Sequence, residues 1–205
     1  MARRSKSYRS TLDLDRDVKS NTKDVFNVCF HVVAVCVRFV PSYNLTEDKA
    51  RLLVGHLDWD LKQFQKQSLA FELLRALLHR KVLLPEIYDL MTQVGELVVQ
   101  SLQENVQQEA ASCFLVFLLD YPMKDKRLEQ HFGFLCNNLS YGVESGRLAV
   151  LNLLDTIVKK FPAALLEKLS GWLVGCSISV RGEFAIEMAD SFRFALLASG
   201  CTVCE

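Results

Sequence analysis

Few groups of residues in this chain have the types and spacing that chemistry requires. Cys201-Thr202-Val203-Cys204 has the CxxC spacing of a redox centre or a zinc half-site. A closed zinc site needs four ligands, and no second pair of ligands stands nearby. A redox CxxC opens a helix after a strand, whereas this one occupies the last residues of the sequence. His31, His56, His79 and His131 are scattered, and no two sit at i, i+4, so a helical metal pair is absent. Each reads as a packed or surface histidine. Asp58 and Asp60 are close, but acids at i, i+2 point to different helix faces, and one of them reads as a helix cap. No glycine-rich phosphate loop, HExxH, GxSxG or kinase signature occurs. The expectation is a non-enzyme with no cofactor and no metal.

The remaining chemistry is cationic. Arg80-Lys81 and Lys159-Lys160 occupy similar places, each at the end of an apolar helical stretch and shortly before a proline. If those stretches stack, both pairs fall on one edge, where they could contact RNA phosphates. Leu119-Asp120 occupies the equivalent place between them and breaks the row. The competing reading needs no ligand: cations near a helix C-terminus complement its macrodipole.

The elements that would position these residues are repetitive. Ala70, Leu73, Leu74, Leu77 and Leu78 fall at i, i+3, i+4, i+7, i+8. So do Ala111, Phe114, Leu115, Leu118 and Leu119, and again Val150, Leu153, Leu154, Ile157 and Val158. That is the stripe one helix face needs to bury itself. An apolar residue and a proline follow each stripe: Leu84-Pro85, Tyr121-Pro122 and Phe161-Pro162. The central leucines are 41 and 39 residues apart, and the prolines 37 and 40. Proline ends one helix and suits the first turn of the next. A period near 40 built from two helices predicts an all-α chain, a HEAT/armadillo-like α-solenoid of stacked antiparallel helix pairs. Stacking is required because one pair cannot cover its own apolar face.

In chain order, residues 1–24 are polar, and Met1 to Ser10 carries Arg3, Arg4, Lys6 and Arg9 with no acid. Such a run suits nuclear import or RNA contact, but its composition is first that of a solvated, disordered terminus. Val25 to Val40 is the most apolar stretch. At 16 residues it is short for a membrane span and reads as a buried helix, with Val25, Cys29, Val32, Cys36 and Phe39 on one face. Thr46 is placed to cap a helix through His56, and Asp58 or Asp60 to start the helix that ends near Arg80. Pro85 opens a helix with Ile87, Met91, Val94, Val98 and Leu102 in line. Asn105 is placed to cap the next, which reaches Tyr121. Asp125 is placed to cap another, with Leu128, Phe132, Leu135 and Leu139 inward. Gly142 to Gly146 reads as a turn before a helix from about Arg147 to Phe161. Pro162 opens a last one carrying Leu165, Leu169 and Trp172. The repeat segment is thus 25–175, and 176–205 is an atypical tail, helical in part.

Lys+Arg 24 balances Asp+Glu 24, so no global field draws in nucleic acid or an acidic membrane. The seven cysteines are odd in number and mostly inside apolar stripes, which suits reduced thiols in cytosol or nucleus. No apolar segment directly follows the basic residues, so no secretory signal is expected. The sequons at Asn44 and Asn138 are then chance matches. Val25 to Val40 and the final segment, with Phe184, Ile186, Met188, Phe192 and Phe194, both lack the polar outer face that a terminal repeat needs. Self-association, or coverage by a partner, is expected.

The run LLVGHLDWDLKQFQKQSLAFELLRALLHRKVLLPEIYDLMTQVGELVVQSLQENV, with FLLDYPMKDKRLEQHFGFLCNNLSYGVESGRLAVLNLLDTIVKKFP after it, resembles the very large HEAT-repeat scaffold subunits of the small-subunit processome, the down-regulated-in-metastasis family. The likeness covers a little over half of the chain and rests on the extended run, not on a catalytic motif. It implies a nucleolar scaffold with no catalytic residues, associated with processome proteins, guide RNA and pre-ribosomal ribonucleoprotein. Members are many times longer, so the resemblance implies a fragment or short product, with nothing recognisable after Gly175. A karyopherin-like or other adaptor solenoid that binds protein partners has the same repeat physics.

Overall fold

The computed structural model describes residue 25, residues 28–162 and residues 165–166. The basic N-terminus 1–24, Leu169, Trp172, the tail 176–205 and its CxxC lie outside the described residues. Helix α1 covers residues 28–39. It is followed by α2 (Glu47–Asp60), a 3-10 turn (Phe64–Lys66), α3 (Gln67–His79), α4 (Pro85–Gln100), α5 (Glu104–Asp120), α6 (Asp125–Asn138) and α7 (Glu144–Lys160). No strand occurs among the described residues.

Next-but-one helices lie side by side. α5 touches both α3 and α7, and α2 touches α4. Consecutive helices pack across this arrangement, with α4 against α5 and α6 against α7. The repeat is visible in the hydrogen bonds that join neighbouring pairs. His31 Nδ1 to Glu72 (2.9 Å) spans 41 residues, and Arg51 Nε to Glu86 (3.0 Å) spans 35. Gln93 Nε2 donates to Asp58 across 35 residues, Arg80 Nη2 to the Tyr43 carbonyl across 37, and Tyr88 Oη to the Pro122 carbonyl across 34. Tyr121 Oη donates to the Val82 carbonyl across 39. Each bond ties a residue to its counterpart about one repeat away, so the periodicity of the sequence is the periodicity of the contacts.

The first and third stripes are core as expected: Ala70, Leu73, Leu74, Leu77 and Leu78 are buried, as are Val150, Leu153, Leu154, Ile157 and Val158. The second is rotated. α5 buries Val106, Gln107, Ala110, Cys113, Phe114, Phe117 and Leu118, while Ala111, Leu115 and Leu119 are only partly covered. The face turns by about 100°, one residue step. The segment from Ala110 to Leu119 is apolar all round except for Ser112, so periodicity alone leaves its orientation open. α1 departs further. It is helical, but it buries Ala34 and Val37, with Phe30 and Val33 packed beside them. Val25, Val28, Val32, Val35 and Phe39 are exposed, Phe39 by 66%. The expected buried face is therefore the open one.

Helix ends also differ. α2 runs on to Asp60, so Asp58 and Asp60 close a helix instead of starting one. Asp58 pairs with Lys62 (3.0 Å) and Asp60 with Lys66 (3.0 Å). Residue Asn105 lies inside the first turn of α5, and Asp125 is the first residue of α6. Thr46 does occupy the N-cap of α2, but without a side-chain cap bond. Acids in the first turns, Glu47, Glu86, Glu104, Asp125 and Glu144, face the positive helix ends instead. Leu102 is not in line with the α4 core but stands in the α4–α5 connection, 85% exposed. Gly146 belongs to α7 and is buried there, because a Cβ would sit 2.3 Å from the Val99 carbonyl of α4. Its glycine serves helix packing, not a turn.

Candidate interaction surface

The four cations proposed as an edge sit at the C-termini of α3 and α7, and α5 lies between these helices. The α3 end is a Schellman motif. Lys81 N donates to the Leu78 carbonyl (2.9 Å) and Val82 N to the Leu77 carbonyl (3.4 Å). Lys81 holds the left-handed conformation, φ 51°, at the position glycine normally fills. Arg80 is half-buried and spends its guanidinium on the Tyr43 carbonyl. Lys159 is paired with Asp155 (2.6 Å) one turn back. Lys81 and Lys160 are exposed. The end of α5 between them carries exposed Asp120. The structure thus engages Arg80 and Lys159 internally and presents Lys81 and Lys160 to solvent on either side of an acid.

Three of the four histidines contact other side chains, and His79 is exposed. His131 makes edge contacts with Phe114 (5.5 Å) and Phe117 (5.3 Å). Burial, helped by nearby Arg127, holds it below the usual 6.5. His31 meets Glu72, and His56 meets the Phe30 ring edge. Burial pushes the Cys113 thiol up to about 12, which leaves it inert at neutral pH. Cys29, Cys36 and Cys113 are free, whereas Cys136 is disulfide-bonded, which departs from the reduced thiols the sequence led us to expect. Among the described residues no group of His, Cys, Asp or Glu is gathered to hold a metal, and no helix is long and apolar enough to cross a membrane.

Two concavities among the described residues have no counterpart in the sequence reading. One, of about 340 Å³, lies between α4 and α6. Its cation, Arg127, is stacked over the Tyr88 ring at 3.9 Å, and its floor is formed where Gly95, Phe114 and Phe134 meet. The second, of about 540 Å³, runs between α5 and α7. The polar spacing Gln108, Ser112 on α5 and Ser145, Asn152, Thr156 on α7 is a legible trace of a solvated face. Nothing in the sequence says that the two faces adjoin.

No family model matches the chain. Over 162 residues, 79% of its length, the chain is 30% identical to U3 small nucleolar RNA-associated protein 20 of Saccharomyces cerevisiae. Over 127 residues, 62% of its length, it is 30% identical to the protein of the same name in Schizosaccharomyces pombe. The chain is homologous to a segment of U3 small nucleolar RNA-associated protein 20. The segment is short: the matches span 6% and 5% of those two proteins. U3 small nucleolar RNA-associated protein 20 is named for association with an RNA.

Proposed function

We propose that the chain is a scaffold segment in ribosome biogenesis, acting in the nucleolus within the small-subunit processome and without catalysis of its own. The observation that carries this reading is the pair of 30% identical matches, which extend over most of the chain to proteins named for the U3 small nucleolar RNA. The fold supports it physically. Stacked helix pairs give a long surface whose stability is local, so one face can be spent on partners without loss of the core. Within this reading the protein partners are processome components, and RNA contact falls to Lys81 and Lys160. Depleting the endogenous protein tests the function. Precursors of the small-subunit ribosomal RNA should accumulate and mature small subunits should fall; unchanged processing refutes the assignment. A Lys81/Lys160 double substitution tests the edge separately. It should lower the salt slope of RNA binding by about one to two, up to one for each phosphate no longer neutralised. An unchanged slope leaves these residues as helix-end cations only.

A further inference from the structure

α1 turns a seam of apolar side chains to solvent. Val25, Val28, Val32, Val35 and Phe39 are all exposed, and they follow one another at steps of 3, 4, 3 and 4. That is the a/d pattern of a heptad, the seam along which one helix packs on another. The same positions face solvent elsewhere in the fold. Phe30, Val33, Ala34 and Val37, the inner side of α1, stand 40 residues before Ala70, Leu73, Leu74 and Leu77 of the α3 core stripe. In that register Val28, Val32, Val35 and Phe39 match Ser68, Glu72, Arg75 and His79 of α3. The matching positions of α7 carry Asn152, Asp155 and Lys159. α3 and α7 thus keep their outward side polar, whereas α1 makes it apolar throughout. A phosphate chain would find five apolar side chains there and little charge, which excludes nucleic acid from this face.

The flanks of the seam decide which helix fits it. One flank carries Cys29 and Cys36, both free thiols. The other carries His31 and Arg38, and residues 28–39 contain no acid. Arg38 lies over the Phe39 ring at 5.1 Å and makes no ion pair among the described residues. His31 Nδ1 holds Glu72 Oε2 of α3 at 2.9 Å, which brings a carboxylate to the same flank. An acid therefore stands beside one end of the seam and an unpaired cation at the other. A two-fold axis across the seam runs two copies antiparallel, so each flank meets its own kind and each end meets the opposite end. Arg38 of each copy then faces Glu72 of the other, and Cys29 of each faces Cys36 of the other. A parallel pair would set Arg38 against the cysteine flank and leave Glu72 unmet. We infer that α1 is a dimerisation helix, whose exposed seam packs antiparallel on α1 of a second copy. Val32 and Val35 form the central layers, and Phe39 closes each end against Val28. From Val25 to Phe39 the seam rises only about 21 Å, so the dimer belongs to the small, weak class of interface. α1 is already folded onto its own chain, so pairing spends nothing on forming the helix.

The test mixes two variants of the purified full chain, Cys29→Ser and Cys36→Ser, and treats them with a short bismaleimide crosslinker. In that mixture any peptide joining Cys29 to Cys36 must come from two chains, and mass spectrometry should find it. Sedimentation equilibrium of the unsubstituted chain should give a dimer that dissociates in the micromolar range. Arg38→Glu sets acid against Glu72 of the other copy at two places in the dimer and should weaken it about tenfold. Combining Arg38→Glu with Glu72→Arg exchanges the two charges and should restore it. None of the four residues is buried, so each variant should keep the wild-type circular dichroism. The inference is overturned by a monomer throughout the micromolar range or by a dimer that yields no peptide joining Cys29 to Cys36. A dimer that charge reversal does not weaken, or that charge exchange does not restore, overturns it equally.

Discussion

Gly146 separates this packing from any generic helical bundle. It is the third residue of α7, and on helix propensity alone Gly146→Ala should stabilise by about 0.5–1 kcal/mol. The structure reverses the sign. The new Cβ would lie 2.3 Å from the Val99 carbonyl oxygen and 2.9 Å from Cδ1 of Tyr141. A carbon–oxygen contact needs roughly 3.3 Å, so about 1 Å of movement is required. Val99 O is backbone in the last turn of α4 and cannot rotate aside. Overpacking of this kind costs about 1–3 kcal/mol, which outweighs the propensity gain. Gly55 is the control. Nothing lies within 4 Å of its Cβ position, so Gly55→Ala keeps the gain of about 0.5–1 kcal/mol. Urea unfolding followed by far-ultraviolet circular dichroism should give a lower midpoint for Gly146→Ala and a higher one for Gly55→Ala, with m unchanged. If Gly146→Ala is as stable as wild type or more so, the close approach of α7 to α4 is wrong.

Lys81→Gly should stabilise by about 1 kcal/mol by relieving the left-handed residue, although it removes a surface cation; a loss of stability in the same unfolding assay would mean that the lysine is not strained. Phe117→Ala should cost about 3–5 kcal/mol, and Leu115→Ala less than about 2 kcal/mol, because Phe117 is core and Leu115 lines an open groove; the reverse order would restore the unrotated α5 face. Burial lowers the His131 pKa, so its neutral form is the folded one and its contribution is complete above pH 6.5. As pH falls below 6.5 the unfolded chain gains the proton more readily and stability declines; His131→Gln should flatten the thermal-melting profile in that range. Asp58, lowered from 3.8 first by the Gln93 hydrogen bond and then by Lys62, adds its loss only in more acid solution. Sedimentation velocity should show concentration-dependent association through the exposed α1 stripe, abolished by Val28→Lys with Val32→Lys; a monomer throughout the micromolar range would refute it.

The two stripes that the structure keeps, on α3 and α7, are legible because polar residues such as Glu72, Arg75, Asn152 and Asp155 mark their outer sides. α5 and α1 lack such marks. In α5 the residues on both sides of Phe114 are apolar, so only packing against α3 and α4 chooses the face. In α1 the valines fit either side, and the face that buries is the one that carries the small Ala34. Gly146 reads as turn chemistry because its meaning lies in Val99, 47 residues away. The cationic pairs are legible as helix ends, yet the partners of Arg80 and Lys159 are not.

The central claim is that these stacked helices serve in small-subunit ribosome assembly. It is tested most directly by purifying the tagged chain from cells and quantifying the RNA and protein that accompany it. The account predicts enrichment of U3 small nucleolar RNA and small-subunit precursor RNA, together with processome proteins. Recovery of a nuclear-transport GTPase with no enrichment of either RNA would contradict it and turn the same solenoid into a transport adaptor.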